Sequence, residues 1–72
     1  MTRIDHPSQL AAELRARRAM LRLTQDELAD VVGVNRRVIG ELERGKVTVR
    51  FEIVLAVANA LGLDIELRAR ER

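Results

Sequence analysis

The sequence predicts an all-α domain of four to five helices, followed by a short C-terminal β-strand that pairs across a dimer. Two observations lead to this fold class. Apolar residues recur three or four positions apart in four separate segments, as on one face of a helix, and glycines close the last three. Beyond Gly62 the spacing changes to two, which is typical of a strand with one apolar face.

Length and composition restrict the class of protein. The 72 residues suit one domain, residues 1–72, which is small enough to gain stability from a partner subunit. The chain has no cysteine and one histidine, His6, so the residues of common metal sites and disulfides are missing. No cofactor loop or acid–base cluster is visible, and we expect no cofactor, no metal, no catalytic residue and no enzymatic activity. Without an apolar run of about 18 residues or a signal peptide, we expect a cytoplasmic protein.

The positive charges are nearly all arginine. Twelve of the thirteen basic residues are arginine, although the formal net charge is only +2. Arginine presents a planar pair of donors that suits phosphate and guanine, which favours a nucleic-acid partner. A GC-rich genome would produce the same bias toward arginine. The positions of the arginines must therefore distinguish nucleic-acid binding from codon bias.

The first helix is predicted from Pro7, which suits a first helical turn, to about Leu21. Leu10, Leu14 and Leu21 share one face, with Ala11 beside them. The opposite face is cationic, and two of its arginines are expected to be simply solvated: Arg17 and Arg22.

Residues 24–45 predict two short helices separated by a glycine turn. Thr24 is a good N-cap for the first helix, and Gly33 ends it. Asn35 caps the second, and Gly45 is expected to end it in the left-handed conformation that glycine adopts most easily. This arrangement is a helix-turn-helix. The side chains expected to be buried are Leu28, Ala29, Val32, Val38, Ile39 and Leu42.

The second motif helix opens with an amide and two guanidinium groups. In DNA-binding helix-turn-helix proteins, this end usually enters the major groove, so Asn35, Arg36 and Arg37 are predicted to read bases. Glu41, one helical turn beyond Arg37, is a fourth candidate for base reading. Its alternative role is an exposed ion pair with Arg37.

After a loop at residues 46–50, apolar residues from Phe51 to Leu61 cover more than one helical face. One side would face the core and the other a second subunit, although the core alone could account for both. The alternation at residues 63–67 predicts a strand, with a continued helix as the alternative. Because a lone strand lacks a partner, we expect it to pair in a homodimer. The predicted dimer interface consists of Val54, Ala58, Leu61, Leu63, Ile65 and Leu67.

The patterns LTQ, ELA, VGV and LERGK resemble the Xre-type, or phage-repressor-type, helix-turn-helix family. The residues that carry the resemblance are Leu23, Thr24, Gln25, Glu27, Leu28, Ala29, Gly33, Val34, Ile39, Leu42, Glu43, Gly45 and Lys46. The resemblance runs from about Pro7 to Leu67 and implies a repressor-like domain. Within the family, the chain is most similar to HipB-like antitoxin repressors, which share its PSQL opening and a C-terminal strand that pairs with its symmetry mate.

The resemblance implies roles for individual residues. Gln25 matches a glutamine that binds a DNA phosphate at the start of the first motif helix. Arg18 and Glu43 match a structural ion pair between the first and third helices. The predicted phosphate-binding residues are Thr24, Gln25, Arg44, Lys46 and Arg50.

Two residues depart from the family pattern. Arg22 stands where the family usually has glycine, so the first helix must end by another geometry or hold Arg22 in an unusual conformation. Gly40 replaces a polar residue inside the second motif helix, at a cost of about 1 kcal/mol relative to alanine. Because glycine has no side chain, Gly40 would also let another backbone approach the helix closely.

The leading prediction is a homodimeric repressor that binds a palindromic operator in double-stranded DNA, as a HipB-like antitoxin regulating its own operon. One alternative is a protein-interaction module whose main role is to neutralise a HipA-like kinase toxin. Another is a stand-alone regulator with no toxin partner. A basic amphipathic helix at a membrane surface would explain the first helix but not the motif.

Overall fold

Four α-helices make up the computed structural model, which describes residues 2–71. They are α1 (Pro7–Met20), α2 (Gln25–Val32), α3 (Arg36–Glu43) and α4 (Phe51–Ala60). The prediction of an all-α fold is confirmed, and a fifth helix is not found among these residues. None of the four helices is both long and apolar enough to cross a membrane.

The helix-turn-helix forms where its capping residues predict it. The Thr24 hydroxyl accepts the backbone N–H of Glu27 at 3.0 Å, and the Glu27 carboxylate accepts that of Thr24 at 2.8 Å. Gly33 ends α2 in the left-handed conformation, with φ +82°. The Asn35 side chain caps α3, and Gly45 follows α3 with φ +82°. The predicted boundaries of both motif helices are therefore confirmed.

The core draws side chains from all four helices. Helix α2 packs against both α3 and α4, and α1 packs against α3. Ten apolar side chains are buried: Ala11, Leu14, Leu28, Ala29, Ile39, Leu42, Val54, Val57, Ala58 and Leu61. Val32 packs against this core and Val38 is half-buried, whereas Leu21, which was expected on the apolar face of α1, is exposed.

The face of α4 assigned to a dimer interface belongs to the core of the single chain. Val54, Ala58 and Leu61 retain only 7%, 2% and 1% of their surface. Their assignment to the dimer interface was wrong, because they have almost no surface left for a partner. The second apolar side of α4 consists instead of Phe51 and Leu55, which are 66% and 38% exposed.

Helix α1 ends at a residue other than glycine. Arg22 has φ +60°, and the backbone N–H of Leu23 donates to the carbonyl oxygen of Arg18 at 3.1 Å. Of the two alternatives expected for the end of α1, the unusual conformation of Arg22 is therefore the one observed. A side chain in this conformation costs about 1–2 kcal/mol.

Arg17 connects α1 to the end of α4. Its Nε donates to the carbonyl oxygen of Leu61 at 2.8 Å, and its Nη2 would lie 3.3 Å from a Cβ placed on Gly62. The prediction that Arg17 is simply solvated was wrong. A positive group at a helix C-terminus satisfies an otherwise unpaired carbonyl and interacts favourably with the helix dipole.

The segment that follows α4, residues 63–71, forms neither a helix nor a strand ladder within the chain. The alternative of a continued helix was therefore wrong. Leu63 packs against the core, while Ile65 and Leu67 are exposed. A β-strand needs a hydrogen-bonded neighbouring strand. Residues 63–71 have no such neighbour among the described residues of one chain, so the strand that pairs across a dimer stays a prediction.

Candidate nucleic-acid interface

One polar surface surrounds the start of α3. Arg36 and Arg37 lie in the first turn of the helix and are exposed to solvent, whereas Ile39 and Leu42 face the core. Two shallow, open depressions mark this side of the helix. The residues that line them define the α3 surface: Gln25, Asn35, Arg36, Arg37, Val38, Gly40, Glu41 and Arg44. All four predicted base readers and two predicted phosphate-binding residues therefore lie together.

A buried ion pair supports this surface from below. Arg18 donates from Nε to Glu43 Oε2 at 2.6 Å and from Nη2 to Glu43 Oε1 at 2.9 Å. Its Nη1 donates to the carbonyl oxygen of Leu23 at 2.8 Å. The ion pair expected between these residues is present, and its two parallel hydrogen bonds fix α1 to α3.

Gln25 is the third member of this network. Its amide nitrogen donates to Glu43 Oε1 at 3.0 Å. Sequence reasoning missed this bond, because no local spacing relates residue 25 to residue 43. An amide nitrogen carries two hydrogens, so Gln25 keeps one N–H for a phosphate while the other bond fixes the side chain.

The Glu43 carboxylate is ionised at neutral pH. Burial raises its pKa, but the hydrogen bonds from Arg18 and Gln25 and the charges of Arg18 and Arg15 outweigh that effect. The pKa of Glu43 therefore lies below its usual range. The network consequently depends on a buried negative charge that three side chains stabilise.

Gly40 makes room for Arg44. A Cβ placed on Gly40 would lie 3.3 Å from Arg44 Nη1 and 3.9 Å from Gln25 Oε1. Arg44 is four positions further on, and its guanidinium therefore folds back over position 40. The space left open by the departure from the family pattern at Gly40 is therefore bordered by Arg44 and Gln25, two candidate phosphate-binding residues.

Arg36 makes a loose contact with α2. Its Nε lies 3.7 Å from Asp26 Oδ1, and both side chains are largely exposed. Exposed pairs of this kind contribute about 0–1 kcal/mol, so Arg36 can leave Asp26 at little cost.

Glu41 pairs with Lys46. Lys46 Nζ donates to Glu41 Oε2 at 2.7 Å, and the Lys46 backbone N–H donates to the Glu41 carbonyl oxygen at 3.1 Å. The alternative ion pair with Arg37 is not the one observed. The hydrogen bond from Lys46 lowers the pKa of Glu41; burial opposes this effect, and the charges of Lys46, Arg37 and Arg44 reinforce it.

The remaining phosphate candidates lie outside the two depressions. The Thr24 hydroxyl accepts a capping bond, which leaves its own hydrogen available to a phosphate. Arg50 stands directly before α4 and donates to Glu52 at 2.8 Å, with both side chains exposed. Lys46 does not line either depression, but its ammonium group contacts Glu41, which does.

Comparison with known proteins places the whole motif in a family. A helix-turn-helix family model, HTH_3, matches residues 14–67. The protein y4mF of Sinorhizobium fredii (strain NBRC 101917 / NGR234) bears the name uncharacterized HTH-type transcriptional regulator. It is 43% identical to this chain over 67 residues, which cover 93% of this chain and 88% of that protein.

Solved structures share the fold over nearly the whole chain. A chain from a HipA-HipB-O2-O3 complex matches with a TM-score of 0.89 and 24% identity, covering 99% of this chain and all of that one. A chain from a HipB-O4 20mer complex matches with a TM-score of 0.88 and 24% identity, with the same coverage. These likenesses establish the four-helix arrangement.

Proposed function

This chain belongs to the family of helix-turn-helix transcriptional regulators, and we propose that it is a HipB-like antitoxin. In this role it would act as a homodimeric, sequence-specific repressor. The observation that carries the proposal is the α3 surface, where candidate base-reading and phosphate-binding side chains lie together. The protein would bind a palindromic operator in the cytoplasm and would catalyse no reaction.

The N-terminal end of α3 would enter the major groove. Arg36 and Arg37 are both exposed there, and each can donate two hydrogen bonds to O6 and N7 of a guanine, with about 1–3 kcal/mol of discrimination per pair. The Asn35 oxygen already accepts the backbone N–H of Arg37 at 2.8 Å. Its amide nitrogen remains available to donate to adenine N7 or to a phosphate.

Phosphate contacts would fix the position of α3 in the groove. Gln25 and Arg44 are close to each other beside α3, and Gln25 also stands at the N-terminus of α2, where backbone N–H groups attract anions. Thr24, Lys46 and Arg50 would add further contacts, which carry no sequence information themselves.

Selection of bound duplexes from a random-sequence pool tests the proposal directly. Arg36→Ala and Arg37→Ala should each weaken binding to the selected duplex by about 5- to 150-fold while changing binding to a scrambled duplex far less. Arg3→Ala is a matched control, because it removes the same charge from the exposed N-terminal segment. Equal weakening of both duplexes would refute base reading by these residues.

A homodimer would place two copies of α3 on one face of DNA. Residues 63–67 would pair as strands across the two-fold axis, and the exposed apolar side chains Phe51, Leu55, Ile65 and Leu67 would be covered there. Leu63, which is half-buried, would lie at the edge of this interface. The two half-sites would be about 34 Å apart, or one turn of DNA.

A HipA-like kinase toxin is the proposed second protein partner. Support comes from the structurally similar chain that belongs to a complex containing HipA and HipB. A kinase-like reading frame next to this gene, whose product co-purifies with the protein, would support the antitoxin role. Without such a neighbour, the protein would be a stand-alone regulator.

Operator binding and toxin neutralisation can be measured separately with the same variants. If variants of Arg36 and Arg37 lose operator binding but still neutralise the kinase, toxin neutralisation would not require DNA recognition. That result would favour the alternative of a protein-interaction module for which operator binding is autoregulation.

A further inference from the structure

We propose that the ion pair between Glu41 and Lys46 exchanges partners on a correct DNA site, so that recognition of a base by Glu41 releases Lys46 to bind a phosphate. The inference rests on the proposed function, because it concerns how the same surface distinguishes one DNA sequence from another. It assigns Glu41 a specificity-determining role and makes Lys46 dependent on it.

The turn after α3 holds the two residues together. Gly45, with φ +82°, turns the chain back so that the Lys46 backbone N–H reaches the Glu41 carbonyl oxygen at 3.1 Å. The Lys46 ammonium then meets the Glu41 carboxylate at 2.7 Å. The Lys46 side chain is still half-exposed, and the Glu41 side chain is a quarter exposed, so both groups can be reached from solvent.

Glu41 is a negative charge on a surface that otherwise suits a polyanion. It lines a depression with Asn35 and Arg37, and the charges of Arg37, Arg44 and Lys46 act on it. On DNA of the wrong sequence, where Glu41 faces a base edge that presents only acceptors, as guanine and thymine do, the carboxylate finds no donor there and stays with Lys46. The charge of Lys46 is then neutralised within the protein and adds little to phosphate binding.

On DNA of the correct sequence, a base can replace Lys46 as the donor. Cytosine presents its N4 amino group in the major groove, and a carboxylate is a suitable acceptor for it. Once Glu41 accepts that hydrogen bond, Lys46 keeps its charge and is free to bind a phosphate. One phosphate contact would therefore form only on the correct site, which joins base recognition to backbone binding.

Salt dependence measures this additional contact. Affinity falls with salt, and each phosphate neutralised by the protein adds about 0.9 to the magnitude of the slope of log affinity against log salt concentration. Slopes are compared for a duplex selected from a random pool and for its scrambled version, between about 50 and 200 mM KCl. The variants are Glu41→Gln, Lys46→Gln and the two combined, each checked for native helix content by circular dichroism.

The proposal predicts opposite patterns for the two single variants. Lys46→Gln should reduce the slope by about 0.9 on the selected duplex and leave it unchanged on the scrambled duplex. Glu41→Gln should increase the slope by about 0.9 on the scrambled duplex, because Lys46 is then free on any DNA. This increase should disappear in the double variant, which shows that it comes from Lys46.

Glu13→Gln is the matched control, because it removes the same charge from α1, where the carboxylate accepts a hydrogen bond from Thr2. It should leave both slopes unchanged. If Lys46→Gln reduces both slopes equally, Lys46 binds phosphate on any DNA and the exchange is refuted while DNA binding stands. If no duplex is enriched from the pool and neither duplex is bound, the proposed function itself fails.

Discussion

Arg22 occupies a left-handed backbone position at the end of α1, with φ +60°. Because a Cβ crowds the backbone in this region and glycine has none, Arg22→Gly should remove local strain. Greater flexibility of the unfolded chain offsets part of the gain. We expect a net increase of about 0.5–1 kcal/mol in the free energy of unfolding, or about 4 °C in Tm, by thermal denaturation.

Arg22→Ala is the matched comparison for this prediction, since it removes the same charge and side-chain length but keeps a Cβ. It should not gain stability. A Tm for Arg22→Gly at or below that of Arg22→Ala would show that the backbone conformation at residue 22 is not strained.

Glu43 makes stability depend on pH. Its pKa is lowered in the folded chain, so its stabilising effect is complete above the unfolded value of about 4.3 and is lost as the pH falls through the folded value. Glu43→Gln should cost about 3–5 kcal/mol at pH 7, because Arg18 keeps its charge in a mostly buried position without an anion. The deficit relative to wild type should narrow as the pH falls below about 4.

Urea unfolding of both proteins across this pH range measures the effect. Glu66→Gln, in the exposed tail, should follow the wild type at each pH. A constant difference between wild type and Glu43→Gln from neutral to acid pH would mean that the Glu43 charge does not stabilise the fold.

In helix α3, Gly40 has two opposing effects. It lowers the intrinsic stability of the helix, and it leaves space for the side chain of Arg44. Gly40→Ala should stabilise the helix by up to about 1 kcal/mol, because alanine loses less backbone entropy. The added methyl group, 3.3 Å from Arg44 Nη1, should displace that flexible side chain. We therefore expect a higher Tm together with weaker DNA binding, with a loss of affinity smaller than that of Arg44→Ala, because the guanidinium is shifted and not removed.

The double variant Gly40→Ala with Arg44→Ala separates the two effects. If Gly40 acts by positioning Arg44, the double variant should bind DNA no more weakly than Arg44→Ala alone. Additive losses would instead indicate that the α3 backbone itself approaches DNA at Gly40.

Elements differ in how well the sequence predicts them. Thr24, Asn35 and Gly33 cap helices through neighbouring backbone groups, so local patterns are sufficient to place α2 and α3. The buried side of α4 was predicted less well, because apolar residues on two sides of a helix do not reveal which side meets the core. The bond from Arg17 to Leu61 spans 44 residues, and such contacts depend on the tertiary structure.

In the candidate site too, features set by local sequence were predicted and contacts that depend on the tertiary structure were not. Asn35, Arg36 and Arg37 were predicted from their place at the start of a helix, and the structure brings them to one surface. The pairing of Lys46 with Glu41 was not predicted, because it depends on the turn at Gly45 and not on helical spacing. Local patterns therefore identify the residues of the α3 surface but not the ion pairs that hold them before DNA binds.

For the whole molecule, the remaining question is what covers the apolar side chains outside the core. Phe51, Leu55, Ile65 and Leu67 are exposed, and Leu67 retains 99% of its surface. Because Leu67 makes almost no contact within the chain, Leu67→Lys should leave the fold of one subunit unchanged. If residues 63–67 pair across a dimer, the lysine should instead place two like charges near the two-fold axis and oppose association.

We expect Ile65→Lys with Leu67→Lys to produce monomers in sedimentation-velocity experiments at concentrations where the wild type is a dimer. Operator affinity should fall by at least tenfold, because each monomer then holds one half-site without the effective concentration that its partner supplies. Val31→Lys is the control, since Val31 is 68% exposed on α2, away from the tail in sequence. It should remain dimeric. If the tail variant still dimerises while its helix content is unchanged, the strand pairing is wrong, and the exposed pair Phe51 and Leu55 on α4 becomes the interface to test next.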